Sequence, residues 1–598
     1  KYLTIMNDDR DQMFPATSYP SVSDFKTKLV DTCLLANNGL VYVINEVVAP
    51  ADYASVIAPV LTSQNAQVMR AVITADDNYV NGSQYNQAPL QKYFSTYLKS
   101  MQSHFSLFVP TDDGLSTYGY VNPMSLASGM AGQYNYLRFS FSNFTASDNQ
   151  KRLPIEASAY SYNMETGPSE SDVRIWRNES REAITRGRGD TKASLLEEMV
   201  DQHIVVQEDA DVIGQSENAQ RYYLSRSGAP IYIAKPSNAT NGLGMEVKGG
   251  FQLMLDAQNS AAAYSSVVTE GYDQTGGSEE AYGNGMTYFL NRPMQPTMNT
   301  VFDVMSENEE YSDFYNLCLC GGTTTAPYDA DLLNACGFRL NEEGNLMDDS
   351  DWYYERMKYQ IFLTEGVISG STSNNCYPPS GSAVVRFFNN YNYTVYIPTN
   401  DAVQAAINNG LPTWDDITNF VNSCERYEAG VTDDEGNDME GIIIDENERA
   451  QAQAMVTELV NFLKYHFQDL SVFVDNVTSV GEDNGYDSYS TSCIDNELGS
   501  YLMLRVRQTP GTMTVLDNAG TTHNVTSLSN VVARDMNFNA RVTAGESCSS
   551  IKNSSYVVVH QIDGALDFRE GAAGASYSSA WETPAKAKAF IKKYEIRK

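Results

Sequence analysis

The chain has 598 residues, about four domains at roughly 150 residues each, so it is long enough to bury large cores without staples. Its 40 Lys and Arg against 75 Asp and Glu give a formal net charge of −35, which repels phosphate backbones and anionic lipid. This charge argues against nucleic-acid binding. Hydrophobic residues make up 42% and aromatic residues 11%, a globular composition, and no apolar run approaches the ~20 residues that a membrane span needs.

The first predicted element is the segment NNGLVYVINEVVAP at 37–50. A polar turn precedes a β-rich run, and Asn38-Gly39 favours a tight hairpin. The same pattern, again with Asn-Gly, occurs as GNGMTYFLNRPMQP at 283–296, and a looser copy occurs at 553–566. These three segments are called closing boxes below.

The segment FSLFVPTDDGL at 105–115 predicts an alternating strand followed by a helix, and it is called an opening box. Pro110 is expected to end the strand, and Thr111 or Asp112 to cap the helix by accepting a bond from its first free amides. Alternation predicts one apolar strand face, formed by Phe105, Leu107 and Val109. The segment YTVYIPTNDAV at 393–403 repeats the design with Pro398, Thr399 and Asn400.

A third element is a helical pattern that runs into a short aliphatic segment. It occurs at 195–209 and at 459–476. In the second copy the apolar residues predict one helix face by their i, i+3, i+4, i+8 spacing, namely Leu459, Phe462, Leu463 and Phe467.

The order of these elements predicts repeated modules. Residues 1–49 hold the C-terminal part of a truncated module, 50–297 and 298–566 each hold a complete module, and 567–598 form a C-terminal tail. In the tail, a Thr-Pro start and an Ala/Lys pattern predict a short capped helix.

The chain order of these elements resembles the fasciclin (FAS1) domain: an opening box, then a histidine-bearing helix, then an Asn-Gly closing box. The family's Tyr-His pair is present as Tyr465-His466 and as Gln202-His203 in the other copy, where the tyrosine is absent. The resemblance implies an α+β fold of tandem FAS1-like modules, each a twisted β-sandwich or wedge with packed helices. It also implies structural roles for the motif residues Pro110, Thr111, His203, Pro398, Thr399, Tyr465 and His466.

Both complete modules are longer than the family unit, so we expect long insertions. The candidates are 145–195, 255–282, 318–380 and 424–448, and loops of this length are usually functional or disordered. Aromatic clusters in two of them are candidate binding residues, because rigid aromatic rings give contact area at low entropy cost: Tyr160, Tyr162, Trp352, Tyr353 and Tyr354. The alternative is that these tyrosines fill half-buried positions on β-strands.

The sequence predicts no catalytic residue, no cofactor and no metal ligand, since it contains no HExxH, GxSxG, P-loop or GxGxxG pattern. His203 and His466 are expected to be buried and hydrogen-bonded, with partner or pH sensing as the alternative, and His560 to be a packed side chain. The acidic run at 433–440 lacks EF-hand spacing and is expected to be a solvated loop, with opportunistic calcium binding as the alternative. One or two disulfides within 318–424 are plausible if the protein is exported.

The expected function is non-catalytic binding or adhesion at the cell surface. Similarity to FAS1 chains implies an accessory lipoprotein of an outer-membrane nutrient importer built from a TonB-dependent barrel and a lid lipoprotein. It would lie on the extracellular face, lipid-anchored through a segment outside this sequence, or be secreted. Its partners would be other outer-membrane or extracellular proteins, glycan or peptide, with no nucleic acid and no transmembrane span in this chain. The alternatives are a stand-alone adhesin for matrix or glycan and a glycan-active enzyme with a carboxylate pair in an insertion.

Overall fold

A computed structural model describes residues 30–45, 54–74, 94–101, 103–126, 133–141, 155–163, 167–168, 174–175, 193–207, 213–214, 221–257, 264–275, 283–297, 299–363, 383–385, 387–388, 392–476, 485–538 and 551–596. In these residues the fold is mixed α+β, with several sheets and helices. The described residues up to Pro296 form one compact unit and those from Thr297 onward form a second, here called unit one and unit two.

Unit one contains three sheets among its described residues. A two-stranded hairpin joins β1 (Val30–Ala36) and β2 (Gly39–Ile44). A seven-stranded sheet has the order β10-β11-β12-β13-β14-β3-β9, with β3 (His104–Pro110), β9 (Ile204–Gln207), β10 (Tyr222–Leu224), β11 (Pro230–Lys235), β12 (Glu246–Gly249), β13 (Ser266–Gln274) and β14 (Gly285–Leu290). A five-stranded sheet contains β4 (Tyr120–Leu126), β5 (Gln133–Phe141), β6 (Ile155–Asn163), β7 (Gly167–Pro168) and β8 (Arg174–Ile175). The helices are α1 (Ala58–Thr62), α2 (Gln67–Ile73), α3 (Phe94–Leu98), α4 (Asp112–Tyr118), α5 (Ala193–Gln202) and α6 (Gly250–Ala257).

Unit two has one eight-stranded sheet among its described residues, in the order β20-β19-β18-β17-β16-β15-β22-β21. Its strands are β15 (Tyr393–Pro398), β16 (Phe467–Asp469), β17 (Asp487–Asp495), β18 (Ser500–Thr509), β19 (Thr512–Leu516), β20 (Thr522–Asn524), β21 (Val531–Phe538) and β22 (Ile551–Ile562). Its helices are α7 (Val301–Ser306), α8 (Ser312–Cys318), α9 (Ala330–Ala335), α10 (Asp349–Arg356), α11 (Asn400–Asn408), α12 (Trp414–Ser423), α13 (Glu446–Tyr465) and α14 (Pro584–Tyr594).

The opening boxes form the predicted strand, proline and capped helix in both units. β3 ends at Pro110, and the Thr111 hydroxyl accepts a hydrogen bond from Gly114 N (3.1 Å) at the start of α4. β15 ends at Pro398, and the Thr399 hydroxyl accepts from Ala402 N (3.3 Å) at the start of α11. The threonine is therefore the cap in each copy.

Asp112, the alternative cap, has a different role. Its carboxylate accepts bonds from Gln67 N (2.8 Å) and Val68 N (3.1 Å), the first amides of α2. Carboxylates stabilise helix N-termini, because the unpaired amides and the helix dipole both favour negative charge there. Asp112 thus attaches the opening box to a neighbouring helix.

Each opening strand lies between the same two kinds of partner. β3 pairs in parallel with β14, from Phe105↔Gly285 to Pro110↔Leu290, and antiparallel with β9. β15 pairs in parallel with β22, from Tyr393↔Val557 to Pro398↔Ile562, and antiparallel with β16. All residues from 105 to 110 and from 393 to 398 are buried. The predicted apolar face of Phe105, Leu107 and Val109 is buried, and the opposite face with Ser106 and Phe108 is buried as well.

Two local predictions need correction. α13 ends at Tyr465, so Phe467 lies in β16 and not on the helix face that also holds Leu459. Asn284-Gly285 does not form a tight hairpin turn, because Gly285 pairs with Gln274 across a longer connection. The Asn284 side chain instead accepts from Val56 N (2.8 Å) and donates to Leu98 O (2.7 Å). At 37–50 the predicted tight hairpin is present as β1–β2.

Several predicted insertions are part of the fold. The described part of 318–380 contains α9 and α10 and contributes buried residues, among them Leu332 and Ile361, to the core of unit two. The expected insertion at 255–282 includes β13, a strand inside the seven-stranded sheet. In 424–448, Ile442 and Ile443 are buried. Buried apolar side chains hold these segments in the folded units. The local sequence pattern did not indicate this burial.

The expected separate tail is also part of unit two. The predicted helix is confirmed as α14, with Thr583 as its N-cap. Phe590 and Tyr594 are buried in the core, and the Tyr594 carbonyl accepts from the Asn461 side chain (2.8 Å) on α13.

Six cysteines lie in the described residues, and none of these forms a disulfide: Cys33, Cys318, Cys320, Cys336, Cys424 and Cys493. The expected bridges within 318–424 are therefore absent among these residues. Cys376, the other cysteine of that range, lies outside the described residues.

Candidate functional site

A buried histidine connects helix, strand and closing box in unit one. His203 follows α5, and its Nδ1 lies 2.6 Å from Met199 O, one turn earlier. Met294 N, just beyond β14, donates to His203 Nε2 (3.0 Å). Because Nε2 accepts this bond, the ring proton is on Nδ1, which donates to the helix carbonyl.

Unit two repeats this arrangement. The His466 Nδ1 lies 2.8 Å from Phe462 O, and Leu566 N donates to its Nε2 (3.0 Å). Burial lowers the pKa of His203 to about 4 and that of His466 to about 3, so both rings are neutral at pH 7. Burial and hydrogen bonding agree with the prediction for these two residues.

The residue before each histidine differs between the units. The Tyr465 hydroxyl donates to Met503 O (2.8 Å) on β18, whereas the Gln202 amide oxygen accepts from the Tyr120 hydroxyl on β4. The side chain therefore anchors the helix end to a different strand in each unit. His560, on β22, is also buried, with Nε2 2.8 Å from Val472 O and Nδ1 accepting from Asn530 N (3.2 Å).

The candidate binding residues of unit two lie on α10. Asp348 caps this helix by accepting from Asp351 N (2.8 Å), and Trp352 anchors it, because its side chain is 6% exposed and belongs to the core. This corrects the expectation that Trp352 contributes to a contact surface. Tyr353 and Tyr354 are half-buried and meet edge to face, with ring centroids 5.3 Å apart.

An arginine extends this aromatic pair. The Arg356 guanidinium lies 5.2 Å from the Tyr353 ring centroid and 5.0 Å from that of Tyr328, which comes from the loop before α9. We call Tyr328, Tyr353, Tyr354 and Arg356 the aromatic ridge. Clustered aromatic rings with an arginine suit a planar or apolar partner surface, since ring faces attract cations and pack on sugars or peptides.

Sequence reasoning missed two members of this ridge. Arg356 could have been found from its i+3 spacing to Tyr353 on the same helix. No sequence signal indicates Tyr328, because a tertiary contact brings it to the helix. Tyr160 and Tyr162, the other predicted binding residues, lie on β6 opposite Tyr136 and Tyr134, and their side chains are outside the described residues.

The acidic run at 433–440 is a loop that satisfies its own amides. The Asp433 carboxylate accepts hydrogen bonds from the Asn437 side chain (2.9 Å), from Asn437 N (2.8 Å) and from Glu435 N (2.9 Å), and these bonds lower the pKa of its carboxyl. In the part of the chain that the structure describes, no group of three or more His, Cys, Asp or Glu side chains is placed to hold a metal ion.

One pair of carboxylates in unit two shares an arginine. Arg569 Nη2 lies 2.7 Å from Asp567 Oδ2, and Nη1 lies 3.6 Å from Glu458 Oε1. Burial raises the pKa of Glu458 well above its usual value. The Glu458 side chain has no exposed surface, and through Arg569 this pair joins α13 to the C-terminal segment.

No described helix is both long and apolar enough to cross a membrane. No family model matches the chain, and no curated protein is similar to it. Among solved structures, the chain has a weak likeness to a FAS1 domain pair from the insect cell adhesion molecule fasciclin I. That likeness has 11% identity and a TM-score of 0.19, and it covers 62% of this chain and 80% of the other.

Proposed function

We propose that units one and two are tandem FAS1-like modules and that the protein is a non-catalytic binding protein of the cell surface. The observation that supports this most is the repetition of one contact set. In both units a Pro-Thr opening strand pairs in parallel with the closing strand, and a neutral histidine bridges the helix end to the residue four positions beyond that pairing.

A repeated rigid core with added segments suits a scaffold whose decorations recognise a partner. Both histidines have their ring nitrogens occupied by backbone groups, so neither has a nitrogen left for proton transfer to a substrate. The aromatic ridge supplies the contact surface in this proposal, with Tyr353 and Tyr354 as the anchors.

We further propose that the partner is an outer-membrane nutrient importer, a TonB-dependent barrel with its lid lipoprotein, and that this chain is an accessory lipoprotein on the extracellular face. The support is the resemblance to FAS1 domains, used as an analogy, together with a formal net charge of −35 that favours solubility outside the cell. A stand-alone adhesin for matrix or glycan is the alternative.

Affinity capture from detergent-solubilised outer membrane tests the proposal. With the full chain as bait, we expect barrel and lid proteins to co-purify, and the double variant Tyr353→Ala/Tyr354→Ala to lose most of this capture without a change in melting temperature. The matched control is Tyr501→Ala, which removes a tyrosine that is 57% exposed on β18. Capture of matrix or glycan alone would instead support the adhesin. Equal capture by the Tyr353→Ala/Tyr354→Ala variant and by the Tyr501→Ala control would mean that the aromatic ridge is not the contact surface.

A further inference from the structure

The β1–β2 hairpin exposes an unusual amount of apolar surface. Six of its side chains are between 44% and 86% exposed: Leu34, Leu35, Leu40, Val41, Tyr42 and Val43. Among the described residues its two strands pair only with each other. A lone two-stranded hairpin is marginally stable in water, and an exposed apolar strand edge is a template for another strand. This hairpin therefore has the character of an incomplete sheet.

The same sequence pattern is buried where a third strand is present. Aligned on Asn-Gly, Tyr42 corresponds to Tyr288 of β14, which has no exposed surface, and Leu40 corresponds to Met286, which is 2% exposed. β14 resembles β2 in pairing antiparallel with the strand before it, but its other edge pairs in parallel with β3 over six residues. β22 is likewise bounded by β21 and, over six residues, by β15.

We propose that the edge of β2 that no described strand occupies binds an extended strand of a partner chain, parallel to β2, with alternating apolar residues and a Pro-Thr end. The register follows from β3 and β14, where Pro110 pairs with Leu290 and Phe108 with Tyr288. The partner's proline would lie opposite Ile44, and the residue two positions earlier opposite Tyr42. Backbone hydrogen bonds supply affinity in such strand addition, and the alternate side chains supply specificity.

Charge selects this occupant over a second copy of the hairpin. No residue from Thr32 to Asn45 is charged, so the edge offers nothing to an ionic ligand. Pairing two hairpins would bring together two chains of net charge −35, which repel each other. The strands that fill this position in the two units contain no Asp or Glu, so a short strand of their type meets no such repulsion.

The test uses the full chain, under reducing conditions because Cys33 is exposed, and a labelled peptide of residues 103–113 as the probe. We expect saturable one-to-one binding by fluorescence anisotropy, with a scrambled peptide at least tenfold weaker. Hydrogen exchange should slow in residues 39–44 when the peptide is added and stay unchanged in residues 283–290. Protection of 283–290 instead would mean that the peptide exchanges with β3 and would overturn the proposal.

The double variant Val41→Asp/Val43→Asp should weaken peptide binding at least tenfold, because it places two carboxylates on the proposed strand interface. Both residues are partly exposed, so the fold of the units should be unchanged. The matched control is Leu498→Asp, at a side chain 71% exposed in unit two, which should bind the peptide normally. Three results contradict the proposal: no saturable binding, residues 39–44 already protected in the free chain, or a dimer that the double variant dissolves. The outcome is independent of the importer proposal, since the hairpin and the aromatic ridge share no residue.

Discussion

Replacing His466 tests whether the histidine bridge stabilises unit two. In the folded chain the ring makes two hydrogen bonds to backbone groups, at 2.8 Å to Phe462 O and 3.0 Å from Leu566 N. It also packs against Phe314 and Phe462, with ring centroids 5.0 Å and 4.8 Å away. Alanine would remove all four contacts and leave a cavity.

The expected cost has two parts. The Leu566 N–H would be buried without a partner, which costs about 1–3 kcal/mol. Loss of a buried ring leaves a cavity that costs about 2–4 kcal/mol. We therefore expect His466→Ala to lower the free energy of unfolding of unit two by about 4 kcal/mol, measured by urea denaturation. The control is His104→Ala, at a half-buried ring whose Nδ1 has no hydrogen-bond partner among the described residues, and it should cost less than about 1 kcal/mol.

The pH dependence separates the bridge from simple packing. Burial lowers the pKa of His466 to about 3, below about 6.5 in the unfolded chain, so protons bind more tightly to the unfolded state. Its contribution to stability is therefore complete above about pH 6.5 and is lost as the pH falls towards 3. We compare pH 7.5 with pH 5.3, both above the pI of about 4.4. Over this range the free energy of unfolding of the natural chain should fall by about 1.5 kcal/mol more than that of His466→Gln.

Two results would refute this reasoning. One is an equal loss of stability with acid in the natural chain and in His466→Gln, which would mean that the ring is not held neutral. The other is a cost for His466→Ala no larger than that for His104→Ala, which would mean that the bridge is not formed.

Three further predictions concern packing, and each can be measured by urea denaturation. A Cβ at Gly285 would lie 1.8 Å from Phe105 O, and Gly285 has a φ of +140°, so Gly285→Ala should lower the free energy of unfolding by about 3–5 kcal/mol. The control Gly39→Ala should cost little, because no other atom lies within 4 Å of the position of its Cβ. Trp352→Ala should cost about 3–5 kcal/mol, since its side chain lies in the core. Phe590→Ala should cost about 3 kcal/mol in the transition of unit two, and a change below about 0.5 kcal/mol would mean that the C-terminal helix is not part of that unit.

Local features were predictable because they depend on residues close together in the chain. Pro110 and Pro398 end their strands, and the threonine after each caps a helix, because a proline and a cap act within a few residues. The helix of the C-terminal segment was predictable for the same reason. Of the candidate site, the sequence indicated Tyr353 and Tyr354 through their clustering, and burial removed Trp352 from that surface.

Features that join distant residues were decided by the tertiary structure. Tyr328 reaches Arg356 from another loop, and Leu566 reaches His466 across 100 positions, so neither contact leaves a local pattern. Tyr42 and Tyr288 illustrate this most directly, because similar segments place one on the surface and the other in the core. The amino-acid sequence indicated that both segments are strands, whereas only the tertiary structure shows that β14, which pairs with β3, is buried and that β2 is exposed. The physical reason is that backbone propensity acts locally, but burial depends on what packs against the strand.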